Sequence, residues 1–126
     1  MREHIRDIDR LQHIEECIDN INNYLQGYTF EDMKADKKCF HAVVYNLMII
    51  GEAANLITKG FRSQHSETPW RIIVDMRNLL IHGYITTNAS FIWDTYTNDL
   101  PILKKQITEY IVELNQKQES LKPRSS

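Results

Sequence analysis

Arg77, Asn78, His82 and Tyr84 fall within the stretch Arg-Asn-Leu-Leu-Ile-His-Gly-Tyr, where polar side chains flank three consecutive aliphatics near a helix end. Arginine carries a rigid fork of donors that matches phosphate oxygens and stays charged, and histidine can move a proton near neutral pH. Side by side, the two can bind a phosphodiester and do acid–base work on it. A structural reading stands beside this one: Arg77 pairs with Asp75 or another carboxylate, His82 caps the helix, and Tyr84 is a rim aromatic. Five residues of helix turn through ~500°, so Arg77 and His82 stand well apart around an ideal helix. A distorted helix end, a groove or a second copy must bring such a pair together.

Other titratable residues carry less. Glu52 lies in an apolar helix pattern and either pairs across a bundle, the favoured reading, or lines the site. His4, His13, His41 and His65 are scattered, and no Glu-x-x-His pair is present, so no metal ligand and no cofactor is expected. Lys34, Lys37 and Lys38 read as a solvated face that could also guide RNA. Cys17 and Cys39 lack metal or redox spacing and read as small core residues with reduced thiols.

The elements that must position these residues are helical. Ile5, Ile8, Leu11, Ile14, Ile18, Ile21 and Leu25 recur at steps of three and four, which paints one stripe on a first helix that Gly27 should stop. Thr29 with Asp32 signals an N-cap for a short turn carrying Phe30 and Met33 inward. From about Lys37 to Lys59 the apolar pattern covers more than one face, as in a central helix, with Gly60 ending it. The stretch Phe61 to Thr68 has no period and reads as a surface loop. Thr68-Pro69 should start the helix that carries Arg77 and ends at Gly83. A loop through Thr86 and Thr87 then leads to Asn88, an N-cap for a long helical pattern that Pro101 should break or kink near Asn98.

Size and charge bound the rest. The chain has 126 residues, 42% hydrophobic and 25% charged, with only four Gly and three Pro, which suits one helix-rich globular domain. The expected organisation is a single domain over residues 1–116 with a flexible polar tail over 117–126. An all-α, up-and-down bundle of four to five helices is the economical architecture. A net charge of -2 supplies no general attraction to nucleic acid, so any RNA binding must be local. The apolar run Ala42 to Gly51 is about half the ~20 residues a membrane span needs and reads as a buried helix. With no secretory segment ahead of the first helix, a cytoplasmic protein with no membrane partner is expected.

The spacing Arg77-Asn78-x3-His82-Gly83-Tyr84 resembles the Arg-x4-6-His signature of HEPN ribonucleases, in the Arg-x4-His-x-Tyr form of toxins paired with minimal nucleotidyltransferases. The likeness extends through Asn46 to Asn55, Pro69-Trp70-Arg71, Trp93-Asp94 and Asn98 to Pro101, and covers roughly Arg6 to Glu113. The resemblance implies a HEPN-like bundle that forms a homodimer with a composite site. It implies the toxin of a type II toxin–antitoxin pair, a metal-independent endoribonuclease leaving a 2',3'-cyclic phosphate. In that role Arg77 and His82 are catalytic and Asn78 supports them. The partners are an RNA substrate and a nucleotidyltransferase antitoxin that transfers AMP to Tyr84. The alternative is a non-catalytic adaptor that binds, and is modified by, the nucleotidyltransferase.

Overall fold

The computed structural model describes residues 2–83 and 88–121, with the side chains of 2–5 and 121 left out. Tyr84 and the loop expected through Thr86 and Thr87 therefore lie outside the described residues. Among the described residues every element is helical: α1 (Arg2–Leu25), α2 (Phe30–Ala35), α3 (Lys37–Leu56), α4 (Lys59–Gln64), α5 (Trp70–Ile81), α6 (Ala89–Asp94) and α7 (Leu100–Leu121). Four long runs form the up-and-down bundle, because α6 continues into α7 through a π-helical turn at Thr95–Asp99.

The central helix is α3, packed against both α1 and α5, while α1 packs also on α7. Val43, Leu47, Ile50 and Ala54 of α3 are fully buried with Leu11, Ile18 and Ile21 of α1 and Ile107 of α7. By length and composition α3 could cross a membrane, but these buried positions make it the core helix of the bundle. Asn46 interrupts that apolar surface without cost, since Asn20 donates to its Oδ1 at 3.2 Å and its Nδ2 donates to Ala42 O at 2.8 Å. Burial pushes the Cys17 thiol up to about 11, in keeping with a core residue.

Local chemistry sets the helix ends. Thr29 and Asp32 form a reciprocal capping box on α2, and Met33 is buried as the pattern demanded. Asp36 caps α3 through the Cys39 N–H and accepts from the Tyr28 hydroxyl at 2.7 Å; the hydroxyl first, and then the N–H, holds its carboxyl below the usual range.

The central helix ends at Leu56, not Lys59, and the expected loop over Phe61 to Thr68 begins as the short helix α4. The cause is Asp7, buried on α1, whose carboxylate accepts from Thr58 N–H at 2.9 Å and Thr58 Oγ1 at 2.7 Å. Thr58 in turn caps α4, and Phe61, His65 and Thr68 turn inward. Thr68 does not cap α5: Pro69 stands at the N-cap, and the Thr68 hydroxyl lies 2.6 Å from Gln106 Oε1 and from the Tyr110 hydroxyl.

Pro101 leaves the last run helical. The π-helical turn ahead of it accommodates the missing donor, with Leu100 N–H reaching back to Thr95 O. Thr95 and Thr97 hydroxyls satisfy Phe91 O and Trp93 O, each at 2.9 Å. Helix α7 continues to Leu121, so the tail expected from Lys117 is helical through that residue; 122–126 lie outside the described residues.

Candidate active site

Arg77 is placed by a close approach of α5 to α3. A Cβ added at Gly51 would stand 2.7 Å from Arg77 Cβ and 3.0 Å from Ile73 O, so only glycine lets the helices meet there. The next residue on α3 is Glu52, and Arg77 Nε donates to its Oε2 at 2.5 Å. On its other edge, Arg77 Nη1 donates to Asn78 Oδ1 at 3.2 Å. A guanidinium has five N–H donors, and these two bonds leave the Nη1/Nη2 end of the fork able to grip two oxygens of one phosphate.

His82 is held differently. Its backbone N–H donates to Asn78 O at 3.1 Å as α5 ends, and Gly83 at φ +80 closes the turn with its N–H on Leu80 O. The imidazole is exposed, and among the described residues no hydrogen bond or ion pair engages it. His82 is thus the helix cap through its backbone, while its ring stays free for chemistry. Of the structural reading, Arg77 does pair with a carboxylate, but the partner is Glu52; Asp75 lies 4.0 Å from Arg71 instead. Tyr84 lies outside the described residues.

One chain does not join Arg77 to His82. Five helical residues set them about 140° apart around α5. Arg77 faces α3, whereas His82 lies on the far side with Arg71, Asp75 and Asn78, at the edge of the stripe formed by Ile72 and Leu79, about 60–80° around the helix from it. Those two aliphatics are 70% and 44% exposed, an apolar stripe beside a free imidazole.

His65 occupies the opposite situation. It is buried, stacked on Phe61 at 3.9 Å, with Nδ1 2.8 Å from Phe61 O and Nε2 2.8 Å from Glu113 Oε2. The Tyr110 ring meets it edge-on at 4.7 Å, and Trp70 Nε1 donates to its carbonyl at 3.0 Å. Tyr110 donates to Glu67 at 2.8 Å, and burial pushes its phenol up to about 12. These contacts tie α4 and the start of α5 to α7, so His65 is a structural staple.

The sequence named Arg77, Asn78 and His82, and the structure joins the first two directly. The favoured reading of Glu52, pairing across the bundle, holds with Arg77 as its partner; the sequence did not show that Gly51 sets that approach. The small residues Gly51, Ala53 and Ala54 flanking Glu52 were the available signal, since small side chains let helices approach closely. A second feature was missed altogether: a groove of about 400 Å³ between α4 and α5, lined by Lys59, Arg62, Ser63, Trp70, Arg71, Val74 and Asp75.

Known proteins with similar sequences bear ribonuclease names. A candidate ribonuclease HepT of Thermococcus cleftensis is 41% identical over 96 residues, covering 76% of this chain and 87% of that protein. A candidate RNase of Caldanaerobacter subterraneus subsp. tengcongensis is 39% identical over 101 residues, covering 80% and 90%. A candidate RNase of Methanocaldococcus jannaschii is 32% identical over 112 residues, covering 89% of each. No solved structure matches the chain. The model of the HepT-like ribonucleases matches residues 14–110, and this chain belongs to that family.

Proposed function

We propose that the protein is an endoribonuclease that cleaves RNA at a site assembled from two copies of the chain. The observation that carries this reading is the division of α5: Arg77 is braced by Glu52 on one side, and a free His82 lies beside exposed Ile72 and Leu79 on the other. Covering that apolar stripe with a second copy would draw two His82 rings and two Arg77 forks toward one strand. The ribose 2'-hydroxyl attacks the adjacent phosphorus, and one His82 takes its proton. The bond to the 5'-oxygen breaks, the His82 of the other copy protonates that oxygen, and a 2',3'-cyclic phosphate and a 5'-hydroxyl remain. Arg77 grips the non-bridging oxygens as charge builds on them, so the scheme requires no metal.

Two further parts rest on the family resemblance. The protein acts in the cytoplasm as the toxin of a toxin–antitoxin pair, and its nucleotidyltransferase partner silences it by moving AMP from ATP to the Tyr84 hydroxyl, releasing pyrophosphate. Tyr84 lies two residues beyond His82, so the added nucleotide would compete for Arg77 and obstruct the strand.

The test is cleavage of RNA in the presence of a chelator by the purified protein and by His82→Ala. Wild type should cut, leaving cyclic phosphate ends, and the variant should be slower by about 10²–10⁴-fold. Equal cutting by both sinks the assignment of His82, and cutting by neither favours the adaptor reading. For the regulatory part, mass spectrometry after incubation with the partner and ATP should place an AMP increment on Tyr84. Addition at another residue would overturn that assignment.

A further inference from the structure

The groove between α4 and α5 is separate from the Arg77 and His82 contacts, yet shares their helix. Lys59 and Arg62 come from α4 and Arg71 from α5, with Ser63 beside them and Trp70 and Val74 as the apolar part of the wall. Among the described residues Asp75 is the one carboxylate in the lining. It stands 4.0 Å from Arg71, with both side chains largely exposed, so that contact holds Arg71 loosely and yields readily to a stronger anion. Among the described residues neither Lys59 nor Arg62 forms an ion pair. Three cations against one carboxylate thus gather on a chain whose overall charge is -2.

Position along α5 gives the groove its meaning. Arg71, Asp75, Asn78 and His82 follow one another at steps of four, three and four, so all lie on one face of the helix. From Arg71 to His82 is eleven residues, or about 16 Å along the axis at 1.5 Å per residue. An extended strand lying on that face with its reactive phosphate at His82 would carry a phosphate a few nucleotides away into the cationic groove.

We propose that this groove is a phosphate subsite for single-stranded RNA, gripping the backbone at a distance from the bond that is cut. The proposal rests on the ribonuclease reading for its direction but not for its measurement. Lys59, Arg62 and Arg71 hold backbone oxygens, and the half-buried Val74 offers an apolar edge to the sugar. The groove therefore adds affinity without base readout, and its contribution falls with salt as counterions compete.

The test measures binding apart from cleavage. In the His82→Ala protein, which keeps the groove intact, anisotropy of a labelled single-stranded oligoribonucleotide is followed across salt concentrations, with and without Lys59→Ala plus Arg62→Ala. The double variant should bind about tenfold more weakly at low salt, and the slope of log K against log salt should fall by about 0.7 for each phosphate that is no longer neutralised. Lys105→Ala, in a groove on the α7 side lined by Asn22, Pro101, Lys104, Thr108 and Glu109, is the control and should leave both quantities unchanged. In the active protein the double variant should raise KM and leave kcat unchanged.

An unchanged slope in the double variant overturns the subsite, as does an equal weakening in the control. Unchanged RNA binding with weakened binding to the nucleotidyltransferase also overturns it, assigning the groove to a protein partner. Weakened binding in the double variant, in a protein that never cuts RNA, upholds the subsite and removes the nuclease reading alone.

Discussion

His65 and His82 are the same side chain put to opposite uses. His65 is 8% exposed, with both ring nitrogens facing oxygen atoms and both aromatic neighbours in contact. His82 is exposed, its backbone N–H bonded to Asn78 O while no hydrogen bond among the described residues engages its ring, which lies at the edge of an apolar stripe. The first satisfies its polar atoms inside the fold; a buried polar group left without partners would cost about 1–3 kcal/mol. The second keeps its imidazole available, and an available imidazole is what proton transfer needs.

That contrast can be broken in order of expected effect. His82→Ala, the cleavage variant above, should lose nearly all activity while its unfolding midpoint in denaturant stays where it was. His65→Ala should reverse the pattern, losing about 2–3 kcal/mol of stability by denaturant titration while the folded fraction cuts RNA at the normal rate. A His65→Ala protein that is fully stable but inactive would undo the division of roles.

A smaller effect concerns Tyr110, which packs against His65. Its phenol is pushed from 10.0 up to about 12, chiefly by burial. Below about pH 10 the phenol is protonated in the folded and unfolded chain alike, so it contributes no pH dependence. Between about 10 and 12 the unfolded chain has lost a proton that the fold retains, so stability falls as pH rises through that window. Tyr110→Phe should remove that part of the alkaline loss, seen as a shallower fall in melting temperature across the window. An unchanged fall would show that another group governs alkaline unfolding.

Glu52 and Asp7 show how far a carboxylate's role depends on what faces it. Both sit on long helices; the apolar pattern around Glu52 favours a pairing across the bundle without naming its partner, and nothing local marks Asp7. Asp7 is buried and receives two hydrogen bonds from Thr58, which fixes the α3–α4 corner. Glu52 is partly exposed and grips Arg77, which orients a guanidinium. The error over Phe61 to Thr68 has the same origin. Its polar composition suggested a surface loop, but a carboxylate fifty-one residues before Thr58 fixes the corner from which that residue caps the segment into helix.

The sequence by itself determined the long helices and most of their ends, since the three-and-four periodicity, the Thr29–Asp32 box, the Asn88 cap and the stops at Gly27 and Gly83 act through neighbours in the chain; the stop expected at Gly60 fails, because Gly60 lies inside α4. It also determined the Arg77-x4-His82 motif, because the motif is contiguous. Only the tertiary structure decided that Glu52 braces Arg77, that His82 is free while His65 is locked, and that Lys59, Arg62 and Arg71 share a groove. Those facts depend on how closely α3 and α5 approach at Gly51 and on how α4 is turned against α5. Such distances are set by packing between segments far apart in the chain, which no local pattern encodes.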